Sequence, residues 1–136
     1  MERISRADRD TARKQMMIAA RIMLSVALPF VMYEATIPSS IKIAVTEGDK
    51  ILHAITFYTI ALLADFAFPR NGFVYRKIVP ILLYGLLIEF VQSFLPYRTA
   101  SAGDLLANLA GVVAYACSIP LLKRSSRPRE KYSGYL

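Results

Sequence analysis

The stretch EFVQSFLPYRTASAGDLLANLAG, residues 89–111, joins the end of one apolar run to the start of the next through a short turn. It places polar side chains at the end of the first run, in the turn and at the start of the second run: Glu89, Gln92, Arg98, Asp104 and Asn108. Polar groups near the end of a membrane segment cost free energy of insertion, and they are retained mainly where they serve a function. We therefore expect this stretch to form a polar site on one face of a small helical membrane protein.

The composition supports a membrane protein. The chain has 136 residues, of which 55% are hydrophobic, and its mean hydropathy is +0.40. A soluble domain of this length would show polar faces at helical spacing rather than long apolar blocks. The net charge is +7, but the basic residues lie between the apolar blocks and at both ends, whereas a nucleic-acid surface would gather them on one face. The single cysteine, Cys117, excludes an intrachain disulfide.

Four apolar runs predict four transmembrane helices, at about 16–35, 51–68, 78–95 and 105–122. Each run is close to the ~20 residues that a helix needs to cross a hydrocarbon core of ~30 Å. The sequence thus predicts an all-α, four-helix membrane bundle over residues 16–122, flanked by basic polar tails at residues 1–15 and 123–136. The first run is predicted to be an uncleaved anchor, because it contains Arg21 and no small-x-small cleavage site follows it before Pro38.

The loops carry a strong charge asymmetry. The two tails and the 69–77 loop hold thirteen basic residues, whereas the 36–50 and 96–103 loops hold three. Because basic residues stay on the cytoplasmic side, both termini are predicted to be cytoplasmic, and the protein to lie in the cell (inner or plasma) membrane. The polar groups at the start of the second run then fall at the same outer face as residues 89–111. Those groups are Asp49, Lys50 and His53.

Two charged residues are expected at the inner face. Arg21 lies near the inner end of the first run, where its long side chain can reach the lipid head groups. Asp65 lies near the inner end of the second run, close enough to Arg70 in sequence for an ion pair.

The outer polar residues are spaced as helical stripes. The stripes are Asp49, His53 and Phe57; Gly85, Glu89 and Gln92; and Ser101, Asp104, Asn108, Gly111 and Tyr115. They should face the interior of the bundle, because a charge that faces lipid costs about 2.5 kcal/mol or more. Gly85 and Gly111 should let helices approach closely beside the polar groups.

Several of these residues also have a simpler interpretation. Thr46-x-x-Asp49 and Ser101-x-x-Asp104 fit the capping-box pattern, so each aspartate could serve only as a helix cap. Lys50 could be an anchor at the membrane interface.

Gln92 and Asn108 could likewise serve only in interhelical hydrogen bonds. Glu89 has no helix start to cap, and an acidic side chain inside a span is a functional candidate by default. His53 is a functional candidate because two acids are expected beside it and because the charge of an imidazole changes near physiological pH.

At these residues the chain resembles the VanZ-like family of small bacterial membrane proteins. The resemblance covers about residues 45–122 and rests on DKILH at residues 49–53 and on the series E-x-x-Q…P-x-R…D-x-x-x-N-x-x-G within residues 89–111. The matching positions are Asp49, Lys50, His53, Glu89, Gln92, Arg98, Asp104, Asn108 and Gly111. The resemblance implies a multi-pass protein of the bacterial inner membrane that acts in the cell envelope. The family's founding member is associated with low-level teicoplanin resistance, whereas many relatives have no link to antibiotics.

The first functional hypothesis is an outward-facing pocket that binds a polar or anionic envelope component, such as a lipid-linked cell-wall or polysaccharide intermediate. Lys50, protonated His53 and Arg98 would hold its phosphate or carboxylate groups. Gln92 and Asn108 would supply neutral hydrogen bonds. The expected partners are membrane lipids and not nucleic acid, and the small interior of four short helices is compatible with a homo-oligomer.

The second hypothesis is an enzyme site that acts on a lipid head group. Glu89 or His53 would be the general acid or base, with Asp49 or Asp104 orienting the imidazole. Arg98 would stabilise developing negative charge. His53 with Glu89 and Asp104 could hold a metal, but no HExxH-like spacing supports one, so neither metal nor cofactor is predicted. Binding is favoured over catalysis because no complete catalytic signature is present. The third alternative is that the polar groups only hold the helices of the bundle together.

Overall fold

The computed structural model describes residues 5–38, 48–69, 74–98 and 101–125. These residues form four α-helices: α1 (Arg6–Thr36), α2 (Gly48–Ala67), α3 (Val79–Gln92) and α4 (Ala102–Ser125). A π-helical turn, Val74–Ile78, leads directly into α3. Within the described ranges there is no strand, so the predicted all-α class is confirmed.

Three of the described helices are long and apolar enough to cross a membrane: α1, α2 and the Ala102–Pro120 part of α4. The α-helical part of the third run has only 14 residues. Large apolar side chains are exposed on all four helices, for example on Phe30, Ile55, Leu83 and Leu106. An apolar exterior of this extent is typical of a surface that contacts lipid.

The first helix starts earlier than its apolar run. α1 begins at Arg6 rather than near residue 16, because Ser5 and Asp8 form a capping box. The Ser5 hydroxyl accepts a hydrogen bond from the Asp8 N–H, and the Asp8 carboxylate accepts one from the Ser5 N–H, each at 3.1 Å. The pair satisfies two of the N–H groups that a helix start leaves without partners. Most of the tail predicted for residues 1–15 is therefore helical.

α2 is the central helix and packs most extensively against α4 and α1. α2 and α4 approach closely at Gly111, where an added Cβ would lie 2.1 Å from the Ala54 carbonyl oxygen. α3 approaches the same pair at Gly85, where an added Cβ would lie 2.9 Å from the Asn108 amide nitrogen and 3.0 Å from the Phe57 ring. The predicted role of both glycines in close helix packing is thus confirmed.

The bundle has two chemically distinct ends. α1 and α3 end where α2 and α4 begin, and the polar residues of the three stripes lie there. This end is called the site end, and the other is called the opposite end.

At the opposite end, charged side chains bind neighbouring helices. The Arg21 Nε donates to the Ala67 carbonyl at 3.0 Å, at the end of α2, and its guanidinium lies 5.3 Å from the centre of the Phe68 ring. Asp65 forms an ion pair with Lys77 and accepts a hydrogen bond from the Tyr115 hydroxyl at 2.9 Å. Asp65 was expected to pair with Arg70, which lies outside the described residues. Lys77 reaches it because the π-helical turn is packed against α2.

Candidate functional site

The predicted polar stripes face the interior of the bundle. Of the described residues, five polar or charged side chains are buried, and four of them belong to the stripes. These four are Glu89, Gln92, Asp104 and Asn108, each at most 7% exposed. The residues contributed by α2 are more open, since His53 and Lys50 are half-buried and Asp49 is exposed. The site is therefore open to the surface on the α2 side and closed on the α3 and α4 side.

His53 and Asn108 join α2 to α4. The His53 Nδ1 lies 3.0 Å from the Asn108 Oδ1, beside the close approach at Gly111. In the tautomer that is protonated on Nδ1, the imidazole donates to the amide oxygen and Nε2 carries the lone pair. The contact thus orients the imidazole, and in this tautomer Nε2 is the nitrogen that can accept a proton or bind a metal.

Three carboxylates gather around this imidazole. One potential ligand atom from each of Asp49, His53 and Asp104 lies within 4.8 Å of the other two. The Glu89 carboxylate is close enough to interact electrostatically with all three. We call Asp49, His53, Glu89 and Asp104 the acidic cluster. Lys50 adjoins it, because its side chain crosses to Gly103 on α4 and its charge acts on Asp104.

Glu89 also completes the cap of α4. Its Oε2 accepts a hydrogen bond from the Ser101 N–H at 3.0 Å, while the Ser101 hydroxyl accepts one from the Gly103 N–H at 3.0 Å. The expectation that Glu89 has no helix start to cap is therefore wrong. The sequence pattern assigned this role to Asp104, but the Asp104 carboxylate lies with Asp49 and His53 instead. Thr46, the other predicted cap residue, lies outside the described residues.

Gln92 and Arg98 are directed away from the acidic cluster, towards the end of α1. The Gln92 side-chain NH₂ donates to the Ala35 carbonyl at 3.1 Å. The Arg98 Nη2 donates to the Glu34 and Ile37 carbonyls at 2.9 and 3.0 Å. These donors satisfy carbonyls that a helix end leaves without partners.

Tyr97 has the same role, which the sequence did not reveal. Its hydroxyl donates to the Thr36 carbonyl at 2.9 Å. A Tyr beside a Pro in a polar turn carries no signal for a particular acceptor, so only the fold could show this contact.

Four buried polar atoms at the site end have no hydrogen-bond partner among the described residues. They are Glu89 Oε1, Gln92 Oε1, Arg98 Nε and Asn108 Nδ2. A buried polar group without a partner costs about 1–3 kcal/mol. All four lie at one end of the bundle, on residues that the sequence predicted as ligand-binding.

A different kind of cleft lies at the opposite end, between the start of α1 and the end of α2. It is lined by Asp10, Arg13, Lys14, Met17, Arg21, Phe68 and Pro69. Three of these side chains are basic and one is acidic. It shares no residue with the acidic cluster.

Comparisons with known proteins agree with the sequence motif. The profile of the VanZ/LLP1 family matches residues 4–123. An uncharacterized protein of Schizosaccharomyces pombe is 31% identical over 114 residues, which is 82% of this chain and 64% of the yeast protein. The chain thus spans somewhat less than two thirds of that relative's length.

The yeast relative shows that the similarity extends to a eukaryote, whereas the motif resemblance pointed to bacterial proteins. No solved structure matches the chain. The family profile begins before α1 and reaches the last turn of α4, so it includes all four helices and every residue of the acidic cluster. The chain therefore belongs to the VanZ/LLP1 family.

Proposed function

We propose that this protein crosses the cell membrane four times, with both termini on the cytoplasmic side and the site end on the outer side. The loop charges support this orientation, because thirteen basic residues flank the opposite end and three flank the site end. The π-helical turn supports a fourth crossing, since it extends the helical segment that contains α3 to Val74–Gln92. The basic ends of the chain, residues 1–15 and 123–136, would then adjoin the cytoplasmic face.

We further propose that the site end forms a pocket for the polar head group of a lipid-linked envelope component, such as a cell-wall or polysaccharide intermediate. One observation carries this proposal: buried polar atoms that have no partner among the described residues are concentrated there. They form a mixed set, with acceptors on Glu89 and Gln92 and donors on Arg98 and Asn108. Since a sugar hydroxyl both donates and accepts hydrogen bonds, a glycosylated head group would satisfy such a set.

Apolar side chains beside the site would accept the lipid tail. Phe90 and Phe94 are exposed at the end of α3 and form an edge-to-face pair with ring centres 5.0 Å apart. Leu106 and Leu109 are exposed on the first turns of α4. A head group bound at the site end would place its acyl or prenyl chain against these surfaces.

Native mass spectrometry of gently extracted protein tests the proposal. We expect wild type to carry a discrete lipid-linked adduct that Glu89→Gln weakens strongly, since the amide keeps the shape but loses the charge. Glu34→Gln is the matched control, because Glu34 is an exposed carboxylate at the same end. The sensitivity of cells to teicoplanin, the phenotype linked to the family's founding member, gives a second readout. A wild-type protein without an adduct, and variants that unfold, would instead indicate a structural polar network.

The alternative is a membrane enzyme that acts on the same head group by acid–base catalysis. The orientation of His53 by Asn108 favours it, because a fixed imidazole beside carboxylates is suited to proton transfer. The same variant separates the two functions. In a binding protein Glu89→Gln loses the adduct, whereas in an enzyme it stops turnover and the substrate adduct accumulates.

A further inference from the structure

We propose that the acidic cluster binds a divalent transition-metal ion, with Asp49, His53 and Asp104 as its protein ligands. Their ligand atoms already lie within 4.8 Å of one another. Around a tetrahedral Zn²⁺, with bonds of about 2.0–2.2 Å, neighbouring ligand atoms are about 3.4 Å apart. Small side-chain rotations are enough to close this difference.

The backbone of the site is held firmly enough to support such a centre. Asp49 and His53 are four residues apart and therefore lie on one face of α2. Asp104 lies in the first turn of α4, and the contact between Gly111 and Ala54 keeps the two helices close. The sequence predicted no metal because the third ligand comes from another helix, so no short spacing motif exists.

His53 and Glu89 each add a feature that is typical of protein metal sites. A metal-binding histidine usually donates its second ring N–H to a fixed acceptor, which orients the ring. In the tautomer that is protonated on Nδ1, His53 donates in this way to Asn108, a side chain only 1% exposed, and its Nε2 would be the atom that binds the metal. Glu89, 5% exposed, interacts electrostatically with all three ligands, and its Oε1 has no hydrogen-bond partner among the described residues. That oxygen would bind the ion or a water molecule on it.

The negative charge of the acidic cluster also favours a bound cation. With all three carboxylates ionised and His53 neutral, the cluster and the ammonium of Lys50 carry a formal charge of −2 among the described residues. Holding such a charge in a partly buried site is costly, and one divalent ion would neutralise it.

The ligand types indicate which cations fit. Ca²⁺ and Mg²⁺ prefer oxygen ligands throughout, whereas an imidazole with two or three carboxylates suits Zn²⁺ or Mn²⁺. We therefore expect Zn²⁺ and Mn²⁺ to bind, and Mg²⁺ to bind far more weakly.

The ion would also explain how an acidic cluster could accept an anionic head group, a step that rests on the proposed function. Arg98, the cation expected to hold a phosphate, is directed to the end of α1. A metal ion held by the cluster would bind the phosphate oxygens in its place, while sugar hydroxyls meet the remaining polar atoms.

Isothermal titration of tag-free, EDTA-stripped protein in detergent with Zn²⁺, Mn²⁺ and Mg²⁺ tests the metal site. We expect one Zn²⁺ per chain in wild type and in Glu34→Gln, and affinity lowered about ten-fold or more in Asp49→Asn and His53→Gln. Asp49 is exposed, so its variant should fold normally. No saturable binding in wild type, or equal affinity in all four proteins, would overturn the inference.

Native mass spectrometry keeps this inference separate from the proposed function. Zn²⁺ binding without a lipid adduct would support the metal site and contradict the head-group pocket. An adduct without Zn²⁺ binding would support the head-group pocket and contradict the metal site. If both are present, EDTA should release the adduct, and an adduct that survives EDTA would overturn the bridging role of the ion.

Discussion

Glu89 uses its two carboxylate oxygens in different ways. Oε2 accepts the Ser101 N–H at 3.0 Å and caps α4, while Oε1 is buried and has no partner in the described part of the chain. The spacing of Glu89 predicted its buried face, because helical periodicity is a local property. Its cap contact joins residues twelve positions apart across the turn between α3 and α4, and the path of that turn depends on how the two helices pack. The sequence therefore predicted its burial but assigned the cap to Asp104.

Gly111→Ala should strongly destabilise the protein, because the new Cβ would lie 2.1 Å from the Ala54 carbonyl oxygen. α2 and α4 would have to separate, and overpacking of this kind costs about 1–3 kcal/mol or more. We expect a clearly lower thermal-unfolding midpoint in detergent.

Gly103→Ala is the matched control for this change. The atoms nearest to its new Cβ, at 3.1 and 3.2 Å, belong to Ser101 and to the flexible Lys50 side chain, which can shift. Its midpoint should stay near that of wild type. Equal midpoints for the two variants would contradict the close contact of α2 with α4.

At the scale of the helices, two C-termini are held by side chains from neighbouring parts of the chain. Arg21 binds a carbonyl in the last turn of α2, while Gln92 and Arg98 bind carbonyls at the end of α1. A cation at a helix C-terminus also interacts favourably with the helix dipole. The sequence predicted Arg21 at the head groups and Arg98 in a ligand pocket. An apolar run shows how deep a residue lies, but not which neighbouring helix end it meets.

Arg98→Ala should loosen the last turn of α1, since the carbonyls of Glu34 and Ile37 would lose their donor. We expect faster hydrogen–deuterium exchange around residues 33–37, with little change near Ser5. Tyr97→Phe removes a single hydrogen bond to Thr36, so its effect should be smaller.

The metal affinity of Arg98→Ala distinguishes a role in packing from one in binding at the cluster. Because Arg98 contacts α1, the variant should bind Zn²⁺ as wild type does. A loss of Zn²⁺ binding without faster exchange in α1 would place Arg98 in the acidic cluster instead.

At the scale of the whole molecule, the bundle is apolar outside and concentrates its polar contacts at its ends. The sequence predicted this arrangement, because long apolar runs and the positions of polar residues within them are visible without a fold. It did not predict the start of α1, although Ser5 and Asp8 repeat the S-x-x-D pattern noticed at Ser101. The basic composition of the first residues obscured a local helix signal.

The orientation of the bundle can be tested by cysteine labelling in a Cys117→Ala background. A membrane-impermeant maleimide should label Glu34→Cys on intact cells, because Glu34 is exposed at the site end. Arg9→Cys, exposed near the start of α1, should react only after lysis. The reverse labelling pattern would place the acidic cluster on the cytoplasmic side.

The contacts at the end of α1 have a consequence for how the family can vary. Among the hydrogen bonds of the described residues at the site end, the last turn of α1 and the residue after it contribute backbone carbonyls of Glu34, Ala35, Thr36 and Ile37, whereas the neighbouring segments contribute side chains. Every amino acid supplies the same carbonyl, so substitutions along this stretch leave these bonds in place. This end of the first helix should thus tolerate evolutionary drift more readily than the opposite end, where the Arg21 side chain itself binds α2.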